Sequence, residues 1–194
     1  PVELDTAGVT PRADYADLAV VLEKAFERDG TLIPDAKAIH VERLDAQLRL
    51  LAVTGPTATP DLLPTPEART AYWYNARAAW ALKLLALAGF PERIGTEAFS
   101  ARPVPLDGRT MTLDEVDRLL AADPDWRTVV AAPCALRLRA RMPARPFSAE
   151  DIRGRIAERF EDFIDDEEHF VIDVERRRVR IPPVIWQFRD RLIG

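Results

Sequence analysis

The sequence contains only one cysteine, Cys134, and only two histidines, His40 and His169. One cysteine excludes a disulfide within the chain and a cysteine-based zinc cluster, and two histidines cannot build a three-histidine site. We therefore expect no metal and no cofactor. The chain also lacks a glycine-rich phosphate loop, a Gly-x-Ser-x-Gly elbow and a His-Glu-x-x-His motif, so the usual signatures of nucleotide, serine-hydrolase and zinc-protease chemistry are missing.

Lysine is scarce as well, since 24 of the 27 basic residues are arginines. The formal net charge is -5 and no half of the chain is basic. Non-specific nucleic-acid binding needs a concentrated basic face, so we predict no nucleic-acid partner. The longest apolar run, "AAWALKLLALAGF", is shorter than the roughly 20 residues that span a bilayer, so we expect no transmembrane segment. No signal peptide is visible, yet Pro1 is compatible with a trimmed chain, so export and a cytoplasmic location both stay open.

The hydrophobic pattern predicts one helix-rich α+β domain over residues 1–194. Residues 1–54 are expected to form an N-terminal helical pair, and residues 65–194 the core with a small antiparallel sheet. A central helix is expected over about 66–88, because Thr65 is a good N-cap and a proline follows it at the first helical position. That helix is apolar almost all round, which is typical of burial.

Shorter patterns predict the remaining elements. "PLDGRTM" predicts a hairpin with an Asp-Gly turn, and "TLDEVDRLLAAD" predicts a helix that opens with a capping box. "WRTVVAAPCALRL" has the β-branched bias of a buried strand. "SAEDIRGRIAERFEDFI" predicts another capped helix, and "HFVIDVERRRVRIPP" a C-terminal hairpin over about 169–181, exposed on one face.

Six stretches occur in an order that resembles a known bacterial family. They are "YADLAVVLEKAFERDGTL", "AYWYNARAA", "MTLDEVDRLL", "DPDW…VVAAPCAL", "PARPFSAEDIRGRIAERFEDFI" and "VRIPPVIWQF". Together they resemble the DUF547 family, a domain family of unknown function, over most of the chain. The resemblance implies a bacterial protein that is often exported. It also implies a papain-like or transglutaminase-like chemistry that would use a cysteine and a histidine.

The central-helix motif of that family is only partly kept. Its pattern is aromatic-Trp-x-Asn-x-Tyr-Asn-Ala, which Tyr72, Trp73 and Asn75 match. Arg77 stands at the position of the second tyrosine and Ala78 at that of the second asparagine. The resemblance thus implies that scaffold residues are kept here while polar residues are replaced.

The family's reactive positions are replaced in the same way. The expected strand histidine falls at Arg127 or Thr128, and the two expected loop cysteines fall near Ala132 and Arg137. Cys134 lies between those two positions and matches neither. The resemblance therefore implies a degenerate active site.

Our leading hypothesis from the sequence is a non-catalytic binding or interaction module. Arginine forks bind carboxylates and phosphates bidentately, and "RLRARMPAR" carries four arginines without an acid. The predicted ligand-binding residues, for an anionic ligand or a protein partner, are Arg77, Arg137, Arg139, Arg141 and Arg145. Pairing of these arginines with the protein's own acids is the alternative reading.

The second hypothesis is a cysteine-dependent hydrolase or acyl transferase. Cys134 would be the nucleophile, His169 the base, and Asn75 the orienting or oxyanion group. The structural readings are a Cys134 that packs as a small hydrophobe and an Asn75 that ties down the backbone of a neighbouring loop. A third hypothesis, a structural subdomain of an envelope assembly, predicts an exposed apolar patch, first of all at "VIWQF".

Overall fold

The computed structural model describes residues 2–26, 40–91, 94–134, 140–167 and 169–190. These ranges form a helix-rich α+β arrangement, as the sequence predicts. The helices are α1 (Ala16–Ala25), α2 (Val41–Val53), α3 (Pro66–Leu87), α4 (Leu113–Ala121), α5 (Arg127–Val130), α6 (Ile152–Asp165) and α7 (Pro183–Gln187). The strands are β1 (Val104–Leu106), β2 (Arg109–Met111), β3 (Val171–Asp173) and β4 (Arg178–Arg180). Two short 3-10 turns, Pro60–Leu62 and Thr96–Ala98, lie between them.

Helix α3 is the buried centre of the fold. Every residue from Thr70 to Leu82 is buried, which agrees with the nearly continuous apolar character of the helix. The Thr65 hydroxyl accepts a hydrogen bond from the Ala68 amide at 3.1 Å, so the predicted N-cap is confirmed. At the other end Gly89 adopts a left-handed conformation with φ of 77°, which lets its N–H and that of the next residue reach carbonyls of the last turn.

Helices α1 and α2 contact each other, and α2 contacts α3. The buried amide of Gln47 joins the first pair: it accepts a hydrogen bond from the Leu18 amide at 3.2 Å and donates to the Asp14 carbonyl at 3.0 Å. This satisfies backbone groups at the start of α1 that have no partner inside the helix. The segment that joins the two helices of this expected pair, residues 27–39, lies outside the described residues.

The predicted hairpin with an Asp-Gly turn is confirmed. Strands β1 and β2 pair antiparallel, and both turn residues are left-handed, with φ of 54° at Asp107 and 72° at Gly108. Two consecutive positive φ values are typical of a type I′ turn, whose twist matches that of the flanking strands. The turn docks on the end of α2, because its two amides donate to the carbonyls of Leu51 and Ala52 at 3.1 and 2.8 Å.

The prediction of a buried strand over 126–138 is wrong where the structure describes it. Residues 127–130 form the short helix α5, residues 131–134 are irregular, and residues 135–139 lie outside the described ranges. The β-branched residues are buried as predicted, but burial does not discriminate between a strand and a helical turn. The Asp125 carboxylate accepts from the Arg127 amide at 3.1 Å, and this local bond favours a turn over an extended start.

Most of the remaining element predictions agree with the structure, with two differences: Asp151 at the N-cap of α6 makes no side-chain cap hydrogen bond, and the C-terminal hairpin is exposed on both faces rather than one. The Thr112 capping box at the start of α4 is present in both directions. Ser148 and Asp151 exchange reciprocal bonds of 3.0 and 3.3 Å just before α6. Strands β3 and β4 form the C-terminal hairpin. Among the described helices, none is long and apolar enough to cross a membrane.

Candidate functional site

Asn75 holds the backbone of a neighbouring loop. Its amide nitrogen donates to the Phe147 carbonyl and its amide oxygen accepts from the Phe147 N–H, both at 2.8 Å. The Tyr15 hydroxyl is a third partner of the same amide. The side chain is fully buried, so these bonds replace the water that would otherwise solvate it. Asn75 therefore holds the backbone of a neighbouring loop, as expected if its role is structural.

Arg77 is buried beside Asp117 and forms a two-pronged ion pair with it. The Nε–Oδ1 and Nη2–Oδ2 distances are 2.6 and 3.1 Å, and the side chains are 1% and 0% exposed. The third nitrogen donates to the Pro133 carbonyl. Burial by itself lowers the pKa of Arg77, but the facing carboxylate and the Cys134 sulfur raise it above its ordinary value. The positive charge is thus fixed inside the fold rather than presented to a ligand.

Cys134 lies in the same buried cluster as Arg77. It is 3% exposed, and its sulfur lies close enough to the Arg77 guanidinium to help raise the pKa of that group. Its backbone N–H donates to the Ala140 carbonyl at 2.9 Å, which closes the irregular segment around it. A nucleophilic thiol has to reach a substrate, and this one is covered by the protein.

His169 lies four residues after the end of α6 and contacts a different set of residues. Its Nδ1 lies 3.2 Å from the Phe163 carbonyl and 3.6 Å from the Asp166 carboxylate, and its ring packs on the Phe163 ring with centroids 4.4 Å apart. The contacts described for Cys134 and those described for His169 share no residue. His40, the other histidine, is exposed just before α2. The geometry therefore gives Cys134 no imidazole partner among the described contacts.

The predicted arginine stretch is only partly described. Arg137 and Arg139 lie outside the described residues. Arg141 lies 3.1 Å from Asp166 and Arg145 lies 2.7 Å from Asp151, and both arginines are exposed. Pairing with the protein's own acids is thus present at these two positions. Exposed pairs of this kind contribute little to stability and can exchange partners readily.

Two arginines of α6, which the sequence analysis did not single out, bind backbone carbonyls in and around this arginine stretch. Arg159 donates to the carbonyls of Ala131 and Arg141 at 3.0 and 2.6 Å. Arg155 donates to the carbonyls of Pro146 and Arg145 at 2.5 and 3.1 Å. The spacing of four residues puts both side chains on one face of the helix, and that spacing was the signal available in the sequence.

The Phe147 ring lies near both of these arginines. The Arg155 guanidinium carbon lies 3.8 Å from the centroid of the Phe147 ring, and that of Arg159 lies 5.6 Å away. The Tyr74 ring packs edge-on against the same ring at 4.9 Å. A cation over an aromatic face is attracted by the ring quadrupole, so the ring partly compensates the buried guanidinium groups.

An open groove of about 870 Å³ lies between residues 140–145 and α6. The charged lining from α6 and its C-cap changes from mostly basic to acidic along the chain, in the order Arg155, Glu158, Arg159, Asp162, Asp165 and Asp166. The facing segment adds two arginines: Arg145 at the basic end, and Arg141, which lies 3.1 Å from Asp166 at the end where three carboxylates outnumber it. The groove therefore has a basic end and an acidic end.

At the basic end Arg145 pairs with Asp151, whereas the guanidinium groups of Arg155 and Arg159 are incompletely neutralised. Burial lowers the pKa of both Arg155 and Arg159 to about 10. Repulsion from Arg145 contributes to the lowered pKa of Arg155, and repulsion from Arg77 contributes to that of Arg159. Nearby carboxylates oppose these effects without cancelling them. An anion at this end of the groove would stabilise the charged form of both side chains.

The part of the chain that the structure describes contains no group of three or more histidine, cysteine or acidic side chains arranged to hold a metal ion. A scan of protein-family models finds no match to the sequence, and searches of the curated proteins and of the solved structures find none either. The resemblance to the DUF547 family stays a prediction from the sequence.

Proposed function

We propose that this chain is a non-catalytic binding module of the DUF547-like type, and that the groove beside α6 binds an anionic group of a ligand or protein partner. The anionic group, a carboxylate or a phosphate, contacts Arg145 and Arg155 at the basic end.

The observation that carries this proposal is that the positive charges of Arg155 and Arg159 are only partly neutralised by their partners. The hydrogen bonds described for Arg155 and Arg159 go to carbonyl oxygens, and the nearest carboxylate oxygen described for Arg155 is that of Asp151, at 3.8 Å. Carbonyl groups satisfy donors but do not cancel a full charge. A guanidinium whose pKa is lowered to about 10 gains more from an incoming anion than a solvated one does.

The acidic end of the groove narrows the class of ligand. About ten residues of α6 separate Arg155 from Asp165, which corresponds to roughly 15 Å along the helix axis. A polyanion that filled this length would meet the carboxylates of the acidic end. An extended molecule with an anionic group at one end and a neutral or cationic remainder, such as the C-terminal segment of a peptide, is complementary to both ends.

The contacts of the other candidate residues support a role without catalysis. Both atoms of the Asn75 amide are engaged with Phe147, and the Cys134 sulfur is engaged with Arg77. An oxyanion donor or a nucleophile has to be available to the substrate. These side chains instead stabilise the segment that forms one wall of the groove.

Calorimetric titration tests the proposal directly. The probes are inorganic phosphate, citrate and short peptides with either a free or an amidated C-terminus, each at low and at high salt. We expect the free-carboxylate peptides to bind, and the affinity to fall as salt rises because the contacts are electrostatic. If none of the probes shows salt-sensitive binding, the groove assignment is wrong.

A charge reversal at an exposed position separates binding from folding. Arg145 is 65% exposed in its side chain, so Arg145→Glu should leave the unfolding midpoint nearly unchanged and weaken the peptide at least about tenfold. Arg12→Glu is the matched control, since Arg12 is 58% exposed and pairs with Asp14 away from the groove lining. Equal effects of the two reversals would mean that net charge, rather than the groove, determines binding.

A further inference from the structure

The C-terminal hairpin has one apolar face that the described part of the chain leaves uncovered. In the β3–β4 register Ile172 lies directly opposite Val179, so both side chains are on the same face. Val174 begins the turn directly after β3, and Ile181 directly follows β4, so two more apolar side chains flank this pair. Val174 is 80% exposed and Ile172 is 72% exposed. The hairpin therefore carries an exposed apolar strip, made of the cross-strand pair Ile172–Val179 and the flanking Val174 and Ile181.

The surroundings of this strip are basic although the protein as a whole is acidic. Residues 171–181 contain four arginines against two acidic residues, in a chain whose formal net charge is -5. Arg176 lies 3.2 Å from Asp173, which accounts for one of the two acids. The hairpin thus combines an apolar strip with an excess of positive charge.

Helix α7 adds an exposed tryptophan next to the hairpin. Val184 anchors this helix in the core, whereas Trp186 is 61% exposed. Trp186 follows Ile181 by five residues, so the two Cα atoms are at most about 18 Å apart. The Arg189 guanidinium lies 4.7 Å from the Trp186 ring centroid. Tryptophan and arginine together are typical of side chains at the boundary between water and lipid.

The size of the strip argues against a protein partner as its sole occupant. Two strands of three residues with one flanking apolar residue each present an area on the order of 200 Å². A stable protein interface covers about 800 Å² on each partner. A lipid surface has no such threshold, because binding increases with the apolar area inserted and with attraction between arginines and anionic headgroups.

We infer that the β3–β4 hairpin and α7 form a reversible docking surface for an anionic lipid membrane. The side chains of Ile172, Val174 and Val179 enter the boundary between headgroups and acyl chains. The arginines of the turn contact the phosphate groups, and Trp186 lies at headgroup depth. This inference does not depend on the groove, because it uses other residues and another ligand.

Co-sedimentation of the full chain with vesicles tests the inference. The vesicles contain phosphatidylcholine alone, or phosphatidylcholine with phosphatidylglycerol. We expect binding to the anionic vesicles at low salt, several-fold weaker binding at about 0.5 M salt, and little binding to the neutral vesicles. Absence of binding to anionic vesicles at low salt, or equal binding to both kinds, would overturn the inference.

A pair of matched variants identifies the surface. Val174→Asp places a charge in the strip and should weaken vesicle binding at least about tenfold. Val41→Asp makes the same change at a 47% exposed position in the first turn of α2 and should have no effect. Equal losses in both variants would contradict the assignment. Light scattering without lipid provides a second check. If the wild-type protein is a dimer and Val174→Asp dissociates it, the strip is an interface between copies and the assignment is contradicted.

Quenching by brominated lipids gives an independent measurement. Trp73 and Trp80 are buried and Trp126 is half-buried, so Trp186 is the tryptophan that lipid can reach most readily. We expect quenching in the wild-type protein that Trp186→Phe removes. Quenching that persists in Trp186→Phe would mean that another face of the protein meets the lipid.

Discussion

The two hairpins of this protein have strands of equal length, but the first is packed into the fold and the second is exposed. Each consists of two three-residue antiparallel strands. The apolar residues of the first, Val104, Leu106 and Met111, are all buried, and its turn is bonded to the end of α2. The apolar residues of the second are among the most exposed in the molecule. An isolated two-stranded hairpin is marginally stable in water, so the first is stabilised by the core, and the second presents an apolar face that we assign to a lipid surface.

The side chain of Asp107 shows how closely the first hairpin is fitted. Its Oδ1 accepts hydrogen bonds from the amides of Thr57 and Ala58 at 2.8 and 2.9 Å. A Cβ atom on Gly55 would lie 2.2 Å from that oxygen, so only glycine fits there. The Tyr72 hydroxyl donates to the Leu51 carbonyl at 2.9 Å, the same carbonyl that receives the Asp107 amide. Helix α3, α2 and the first hairpin therefore share one buried hydrogen-bonded junction.

The largest expected difference between the hairpins comes from truncating matched aliphatic side chains. Leu106→Ala removes a fully buried side chain and should lower the unfolding free energy by about 2–5 kcal/mol. Ile172→Ala removes an exposed one and should change it by less than about 0.5 kcal/mol. Urea unfolding followed by circular dichroism measures both. A large loss in Ile172→Ala would mean that the second hairpin is packed against the fold after all.

A steric change at the junction should have a smaller effect. Gly55→Ala forces the Asp107 carboxylate away from its two amide donors, at an expected cost of about 1–3 kcal/mol. Gly95→Ala is the control, because nothing lies within 4 Å of the position of its added Cβ. If the two substitutions have equal effects on the unfolding midpoint, the close approach of Asp107 to Gly55 is incorrect.

Loss of the Asn75 amide should lower the unfolding free energy by a similar or slightly smaller amount. Asn75→Ala leaves the Phe147 N–H and carbonyl without their partners, so we expect a loss of about 1–3 kcal/mol. The exchange of the Phe147 amide hydrogen should accelerate in this variant, and the amides of the second hairpin should be unaffected. Unchanged protection at Phe147 would contradict the tie-down.

The smallest expected effect on stability comes from the ionisation of the three tyrosines, which can be followed spectroscopically. Burial raises the pKa of Tyr15 to about 12, and it also raises that of Tyr72 and Tyr74 above their ordinary value. A raised pKa means that the neutral tyrosines stabilise the fold below about pH 10 and that this contribution decreases as the pH rises further. Arg155 and Arg159 act in the opposite sense there, because their pKa is lowered, so net stability should change little.

The absorbance of tyrosinate at 295 nm measures this directly. At about pH 11 free tyrosine is mostly ionised, and we expect the folded protein to show little of that signal. These three are the only tyrosines of the chain, so the signal has no other source. Full ionisation near pH 10 without unfolding would contradict the burial of the junction.

Local signals made much of the fold predictable. The Thr65 cap, the Thr112 capping box and the Asp107–Gly108 turn each depend on a few neighbouring residues, and all three are confirmed. The strand prediction over 126–138 failed because a β-branched apolar run is compatible with any buried conformation. The hydrogen bond that the Asp125 carboxylate accepts from the Arg127 amide then favoured a helical turn.

The site was less predictable because its contacts are distant in sequence. Arg77 and Asp117 are 40 residues apart, and Asn75 and Phe147 are 72 apart. The sequence could indicate that a buried amide needs partners, but not which loop supplies them. Arg155 and Arg159 have the spacing of one helix face, yet only the tertiary packing determines that this face meets residues 140–147.

The central claim is that the side chains a catalyst would use are engaged inside the fold, and the reactivity of Cys134 with a thiol reagent tests it most directly. We predict that the reagent DTNB modifies the folded protein orders of magnitude more slowly than the unfolded chain, and that His169→Gln leaves this rate unchanged, because the buried thiol becomes accessible only when the structure opens. Rapid modification of the folded protein that His169→Gln slows would contradict the account and favour the cysteine-dependent enzyme.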